Sequence, residues 1–357
     1  MEVDGRRAAQ RIVAVGFIAA DGKRMASAVR MVLVGSLLAL AVLAGRLGVS
    51  FTDVSSAAPV ARNQTLFGMD VPSMQQLDAS EAKLGTRAAI VGTFADWVHS
   101  PNFPLGLAQE ANKRGAVLLI SWEPWDSWMG GADQPAYALQ DIAAGAHDAL
   151  IDRWATEIAR YRRPVMLRFA PEMNGDWLPW STGSNGNRPG DYVAAWRHVR
   201  ARFRRADATN AIWVWNPTAV YDGSTPLRDL FPGAREVDWV AVDGYNWGDT
   251  RQWGWQTYAD IFAPTVRALR ALAPDRPVMI AETASAAGSR RAAWITNTLR
   301  TAHADGLAAV VWFEFDKETD WRLADDLAGA RAARAVVHSR GWRLGGDLAA
   351  VEQLVDR

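Results

Sequence analysis

No cysteine occurs among the 357 residues of the chain. Disulfides, thiolate nucleophiles, iron–sulfur clusters, zinc–thiolate sites and a lipidated cysteine are all excluded by that absence. Charge of one sign is not in excess either, since Lys+Arg and Asp+Glu both number 39. A nucleic-acid binder carries a basic surplus, so no nucleic-acid partner is expected. Histidine is scarce: His99, His147, His198, His303 and His338 are the only five, and none lies at HxH or HExxH spacing. A histidine-built metal site is therefore not expected, and no motif marks a metal or a cofactor. No uncharged apolar run reaches the roughly 20 residues that a membrane-spanning helix needs. What is present is a globular composition, 49% hydrophobic and 22% charged, which excludes wholesale disorder. Tryptophan stands out at 18 residues, more than a core requires.

Residues 31–45 (MVLVGSLLALAVLAG) carry no charge and are flanked by Arg30 and Arg46. A run of this length suits the apolar region of a signal peptide, led by Arg24 and Arg30, with Met25 as the expected start. Cleavage is expected at Ala44 or near Ala57 and Ala58. The alternative is an uncleaved N-terminal membrane anchor. Either way the folded part is expected outside the cytoplasm, secreted or anchored. Residues 1–62 thus read as a targeting segment and linker, 63–345 as the folded domain, and 346–357 as a tail that trails off.

From residue 63 onward, short apolar runs alternate with amphipathic stretches. The runs are 65–69, 89–94, 116–122, 164–169, 211–215, 239–242, 277–281 and 308–313. Apolar residues continue without polar alternation, as in strands buried on both faces. Helical patterns fall between them, at 148–161, 192–205, 261–272 and 289–304. Eight strand–helix repeats over about 285 residues predict a (β/α)8 TIM barrel. A doubly wound open sheet is the competitor, but the GMDVPS after the first run is no phosphate-binding glycine loop.

Chemistry in such a barrel sits where the strands end. The residues there are Asp70, Asp96, Glu123, Glu172, Asn174, Asn216, Asp243, Tyr245, Glu282 and Glu314, interleaved with Trp122, Trp125, Trp177, Trp180, Trp247 and Trp312. Carboxyls beside flat aromatic rings suit cleavage of a glycosidic bond. One carboxyl protonates the leaving oxygen and another attacks, or activates water at, the anomeric carbon. A divalent metal held by the carboxylates is the competing use. Glu172 follows an apolar strand and has Phe169 and Trp177 nearby, surroundings that should raise its pKa. Arg168, inside an apolar strand, requires a carboxylate partner, either in the site or in a purely structural pair.

The segment PVMLRFAPEMNGDWLPW at 164–180 resembles the strand-4 signature of glycoside hydrolase family 26. So do the stretches 142–148 (IAAGAHD) and 242–248 (VDGYNWG). That family holds endo-β-mannanases, mixed-linkage β-glucanases and β-1,3-xylanases, in a clan of retaining barrel enzymes. The resemblance implies Glu172 as acid/base, Glu282 as nucleophile, Tyr245 as the tyrosine that orients the nucleophile, and Trp312 as an aromatic beneath the reacting sugar. Two positions depart from the mannanase pattern: Pro171 stands where histidine is usual, and Trp122-Glu123-Pro124-Trp125 differs. The expected substrate is therefore a β-linked polysaccharide or oligosaccharide, either a β-1,4-mannan or a β-1,3-1,4-glucan. Trp122, Glu123, Trp125, Arg168, Asn174, Trp177, Trp180, Asn216, Trp247 and Trp312 are the expected substrate-binding residues. At least two of these tryptophans are expected to stack on sugar rings. Trp154, Trp196 and Trp294 are assigned to helix packing. The loops at 126–136 and 181–190 are candidate cleft walls, the latter expected to be mobile. The chain is expected to act as a monomer. A non-catalytic carbohydrate-binding or polysaccharide-assembly barrel is the alternative from another class.

Overall fold

The computed structural model describes residues 64–356. The apolar run at 31–45, the linker at 47–62 and the start and cleavage sites lie outside them. Among the described residues, no helix is long and apolar enough to cross a membrane.

All eight apolar runs are strands: β1 (Thr65–Asp70), β2 (Ile90–Asp96), β3 (Val117–Glu123), β4 (Val165–Phe169), β5 (Ala211–Trp215), β6 (Trp239–Asn246), β7 (Val278–Ser285) and β8 (Ala309–Phe313). Each pairs in parallel with the next, and β1 pairs with both β2 and β8, so the sheet closes. With helices between strands, this is a (β/α)8 barrel. The strands run further toward the mouth than their apolar stretches. β6 continues through Asp243-Gly-Tyr245-Asn, and β7 through Glu282 to Ser285.

Alternation along each strand divides the core into two shells. Trp122, Phe169, Trp213 and Trp312 point outward, into the helix layer. Trp122 meets Trp154 at 5.0 Å and Phe169 meets Trp196 at 6.1 Å between ring centroids. Helix Asp148–Tyr161 shows why: its buried Ile151, Trp154, Ala155 and Ile158 fall at helical spacing on one face. The residues between the outward ones point into the barrel, and Arg168 is among them. The patterned helices differ in detail. One starts at Pro189, another at Arg291, and the stretch 261–272 is split into Tyr258–Ile261 and Ala263–Leu272 by Pro264 near the second start.

The end of the chain does not trail off. A short ninth strand, β9 (Trp342–Arg343), pairs with the start of β1. Helix Leu348–Val355 then buries Val351, Leu354 and Val355. The Trp239 indole, at the first residue of β6, donates to the Val355 carbonyl at 2.9 Å, and Arg163, just before β4, pairs with Glu352 at 3.1 Å. Both contacts lie at strand starts, so this helix closes the barrel floor, opposite the mouth.

Candidate active site

Glu172 is presented by a strained turn. After β4, both Ala170 (φ 46°) and Glu172 (φ 57°) adopt the left-handed region, which costs a non-glycine residue about 1–2 kcal/mol. The surroundings hold the turn in place. The Glu172 N–H donates to the Asn216 carbonyl at 2.7 Å, and the Trp180 indole donates to the Pro171 carbonyl at 2.6 Å. The Asn174 amide both donates to and accepts from the Thr218 backbone, at 3.0 and 2.9 Å. The Trp177 indole donates to Glu172 Oε2 at 3.1 Å. Its ring lies so close over Gly175 that a Cβ there would fall 2.7 Å from it. Burial, and next the charge of Glu282, push the Glu172 pKa up to about 7, with the Trp177 bond opposing.

A register shift aims Glu282. Ile280 belongs to the outward shell, and strict alternation would send Glu282 outward too. Instead Val242 faces Ile280 while Asp243 faces Glu282, a bulge that skips one residue of β7. The carboxyl turns inward, where Arg168 Nη2 donates to Oε1 and Tyr245 Oη to Oε2, each at 2.5 Å. Bulges that re-aim a side chain are a recurring device beside active sites.

Arg168 is the hub. It is fully buried, donates to both Asp243 oxygens and to Asn216 Oδ1 at 3.2 Å, and also bonds Ser121 Oγ. Residues of β3, β4, β6 and β7, and the residue that follows β5, thus converge on one guanidinium. Asp70 of β1 is buried in the same interior, and neither of its oxygens has a hydrogen-bond partner among the described residues. Gly92 leaves it room, since a Cβ there would stand 1.4 Å from Asp70 Oδ1. Burial and the charge of Glu282 raise the pKa of Asp70 and of Asp243, with Arg168 opposing in both. One cation facing three carboxyls leaves a surplus of negative charge in this interior. Glu123 lies at the end of β3, its Oε2 bonded by the Trp125 indole at 2.9 Å, and burial pushes its pKa up to about 8.

Several expected sugar contacts are corrected. Trp122 and Trp312 are fully buried on the outer face, Trp312 against Trp294 of a helix, so neither ring is exposed at the mouth. Trp125 and Trp180 are also fully buried, edge-to-face at 5.8 Å, and brace Glu123 and the Glu172 turn from behind. Asn174 and Asn216 have their amides engaged by the Thr218 backbone and by Arg168 and Pro217, so they set geometry rather than offering free groups to hydroxyls. Trp177 and Trp247 are half-buried at the mouth. Trp177 stacks with Tyr221, and Trp247 carries Arg251 over its ring at 4.4 Å. Asp96 and Glu314 cap loops: Asp96 takes the N–H groups of Val98 and His99, and Glu314 those of Leu323 and Ala324. The loop at 181–190, expected to be mobile, is pinned. Asn187 bonds Pro179 and Leu139, and Asn185 bonds Ala132 and Gln134 across to the loop at 126–136.

Three neighbours of the site escaped the sequence reading. Phe313, the inward neighbour of Trp312, meets Tyr245 edge-on at 5.6 Å, and Trp321 lies 5.2 Å from Tyr245 and 4.8 Å from Trp247. Lys317 is near enough to lower the pKa of Glu123 and Glu172. The parity of β8 could have located Phe313; nothing marked the two loop residues. Among the described residues, no group of three or more His, Asp or Glu side chains is arranged to hold a metal ion.

Comparison with known proteins gives concordant results. The chain is 36% identical over 275 residues to endoglucanase H of Acetivibrio thermocellus, covering 74% of this chain and 29% of that protein. It is 29% identical over 197 residues to the β-1,3-xylanase TXYA of a Vibrio species, covering 52% and 40%. The chain thus spans less than half the length of these relatives. Among solved structures, a family 26 β-mannanase from Bacteroides ovatus superposes with a TM-score of 0.61 at 16% identity, over 82% of this chain and 93% of that one, a likeness of fold. The profile of glycosyl hydrolase family 26 matches residues 131–320, a stretch that includes both Glu172 and Glu282. With more than half of its length matched, the chain belongs to glycosyl hydrolase family 26.

Proposed function

We propose that this chain hydrolyses internal bonds of a β-linked polysaccharide by double displacement, with Glu282 as nucleophile and Glu172 as acid/base. The observation that carries the reading is the bulge that turns Glu282 onto Arg168 and Tyr245. Two short hydrogen bonds hold its two oxygens at the floor of the mouth. In the first step a Glu282 oxygen attacks the anomeric carbon while Glu172 gives its proton to the departing glycosidic oxygen, leaving a glycosyl ester on Glu282. In the second, Glu172, now a carboxylate, takes a proton from water, and that water displaces Glu282. The electrostatics suit this exchange of roles. The Glu282 charge helps keep Glu172 protonated, and ester formation removes that charge as Glu172 must become a base.

A β-glucan is the preferred substrate. It is supported by the similarity to an endoglucanase over three quarters of the chain and by Pro171 and Glu123 where the mannanase pattern differs. We also propose that the enzyme works outside the cytoplasm, a location the charge-flanked apolar run at 31–45 supports. N-terminal sequencing of protein recovered from culture medium, or its retention in membranes, tests that point.

The functional test is sugar release from mixed-linkage β-glucan, β-1,4-mannan and β-1,3-xylan. Release from β-glucan is expected, and Glu282→Ala should lower kcat by about four orders of magnitude. Glu172→Ala should lose activity on polysaccharide yet retain a burst with aryl glycosides of good leaving groups. Near-normal turnover by Glu282→Ala would remove the nucleophile assignment. Binding without release by the intact chain would identify a carbohydrate-binding barrel instead.

A further inference from the structure

Trp128, in the loop after β3, is 63% exposed, and the adjoining Met129 is 72% exposed. Leaving a large indole in water forgoes burial that most tryptophans obtain, so its presentation needs a cause. The ring is not loose. His99, from the loop after β2, stacks beneath it at 3.8 Å between centroids and 20° between planes. His99 is itself anchored: Asp96 accepts from its ring Nδ1 at 3.0 Å and from its backbone N–H at 2.7 Å. Ser127 Oγ, next to Trp128, donates to the same Asp96 carboxylate at 2.7 Å, so one buried acid ties the two loops together. Asp126 Oδ1 accepts the N–H of Trp128 at 3.0 Å. The buried Gln134 side chain closes the loop by accepting from Asp126 N–H and donating to its carbonyl.

The result is a flat apolar ring with one face backed by imidazole and the other toward solvent, on the rim that continues outward from Glu123. We propose that Trp128, braced by His99, is a distal subsite on which a pyranose ring of the β-glycan stacks, at a distance from the bond being cleaved. The proposal rests on the reading of the chain as a β-glycan hydrolase. A β-linked pyranose presents a face of axial C–H groups that matches an indole in size and polarity. Because the bracket is already formed, little ordering entropy is lost when the sugar arrives. Contacts this far from the reacting centre bind ground state and transition state alike, so they should act through KM for long chains and not through kcat.

The test compares the full chain with Trp128→Ala and His99→Ala on mixed-linkage β-glucan and on an aryl β-glucobioside, with affinity for the polymer measured in the Glu282→Ala background. Trp128→Ala should weaken polymer affinity about tenfold, equivalent to 1.4 kcal/mol at 25 °C. Its kcat/KM on the short aryl substrate should match the parent. His99→Ala should show a smaller loss, restored by His99→Phe, which keeps the stack. An unchanged thermal midpoint for Trp128→Ala would show that the loop still folds. Unchanged polymer affinity with normal aryl hydrolysis would overturn the subsite alone. Polymer binding that depends on Trp128 without any hydrolysis would overturn the hydrolase reading and keep the sugar platform. Trp128-dependent self-association at unchanged glycan affinity would overturn the proposal in favour of a contact between copies.

Discussion

Replacing Trp177 by phenylalanine isolates one hydrogen bond in the proposed acid/base machinery. The phenyl ring can keep the stacking surface beside Tyr221, but the donor to Glu172 Oε2 is lost. An N–H donor favours the carboxylate over the acid, so removing it raises the pKa of Glu172 from its value of about 7. A hydrogen bond to a charged group is worth about 1.5–3 kcal/mol when buried. Trp177 is half-buried, so about 1 kcal/mol is the appropriate figure, or roughly 0.7 pKa unit at 1.36 kcal/mol each. In the proposed mechanism Glu172 works first in its protonated form, which the mutant keeps to higher pH. The alkaline limb of the kcat/KM profile, which reports the free enzyme, should therefore move upward by about half to one unit. The assay is initial-rate hydrolysis of an aryl β-glucoside from pH 4 to pH 10. A limb that stays in place, or moves down, would refute the claim that Trp177 tunes Glu172.

Two further outcomes are expected. Arg168→Met removes the guanidinium that the buried Asp243 and Glu282 share, and breaking a buried pair of this kind costs about 3–5 kcal/mol. Chemical denaturation should show that loss, with kcat falling as well, whereas full stability would mean the carboxyls shed their charge at little cost. Deleting residues 346–357 exposes the floor packed by Val351, Leu354 and Val355. At about 1.5–3 kcal/mol per buried side chain, the thermal midpoint should drop by many degrees, and an unchanged midpoint would show the helix to be dispensable.

The barrel was legible because parallel strands covered on both sides are apolar along their whole length. That same uniformity hid which way each residue points. In an apolar-polar strand the pattern itself reports parity; in VLLISWE or AVVWF it does not. From sequence alone Trp122 and Trp312 therefore read as mouth residues although they face the helices, while Phe313 and Ser121 face inward. The rim carboxyls and Arg168 could be picked out, since a charge within an apolar run needs a partner. Their contacts could not. The bulge in β7 is a backbone event with no residue signature, and without it Glu282 would point away from Arg168. Trp125, Trp180 and Asn174 looked like ligand groups because residue type says nothing about which donors the backbone has already engaged. Trp321 and Lys317 come from a long loop that no periodicity describes.

The floor of the barrel bears on how this protein can be handled. Gln64 precedes the first residue of β1, and Asp356 follows the Val355 carbonyl held by Trp239, so both ends of the described chain leave from the same side. A support, tag or second enzyme joined directly at Gln64 or Asp356 would sit on the side opposite the mouth. Copies immobilised through either residue should thus keep the mouth free for the glycan proposed as substrate, so that the spacing of copies on a surface, rather than occlusion by the tether, sets how much of it each can reach.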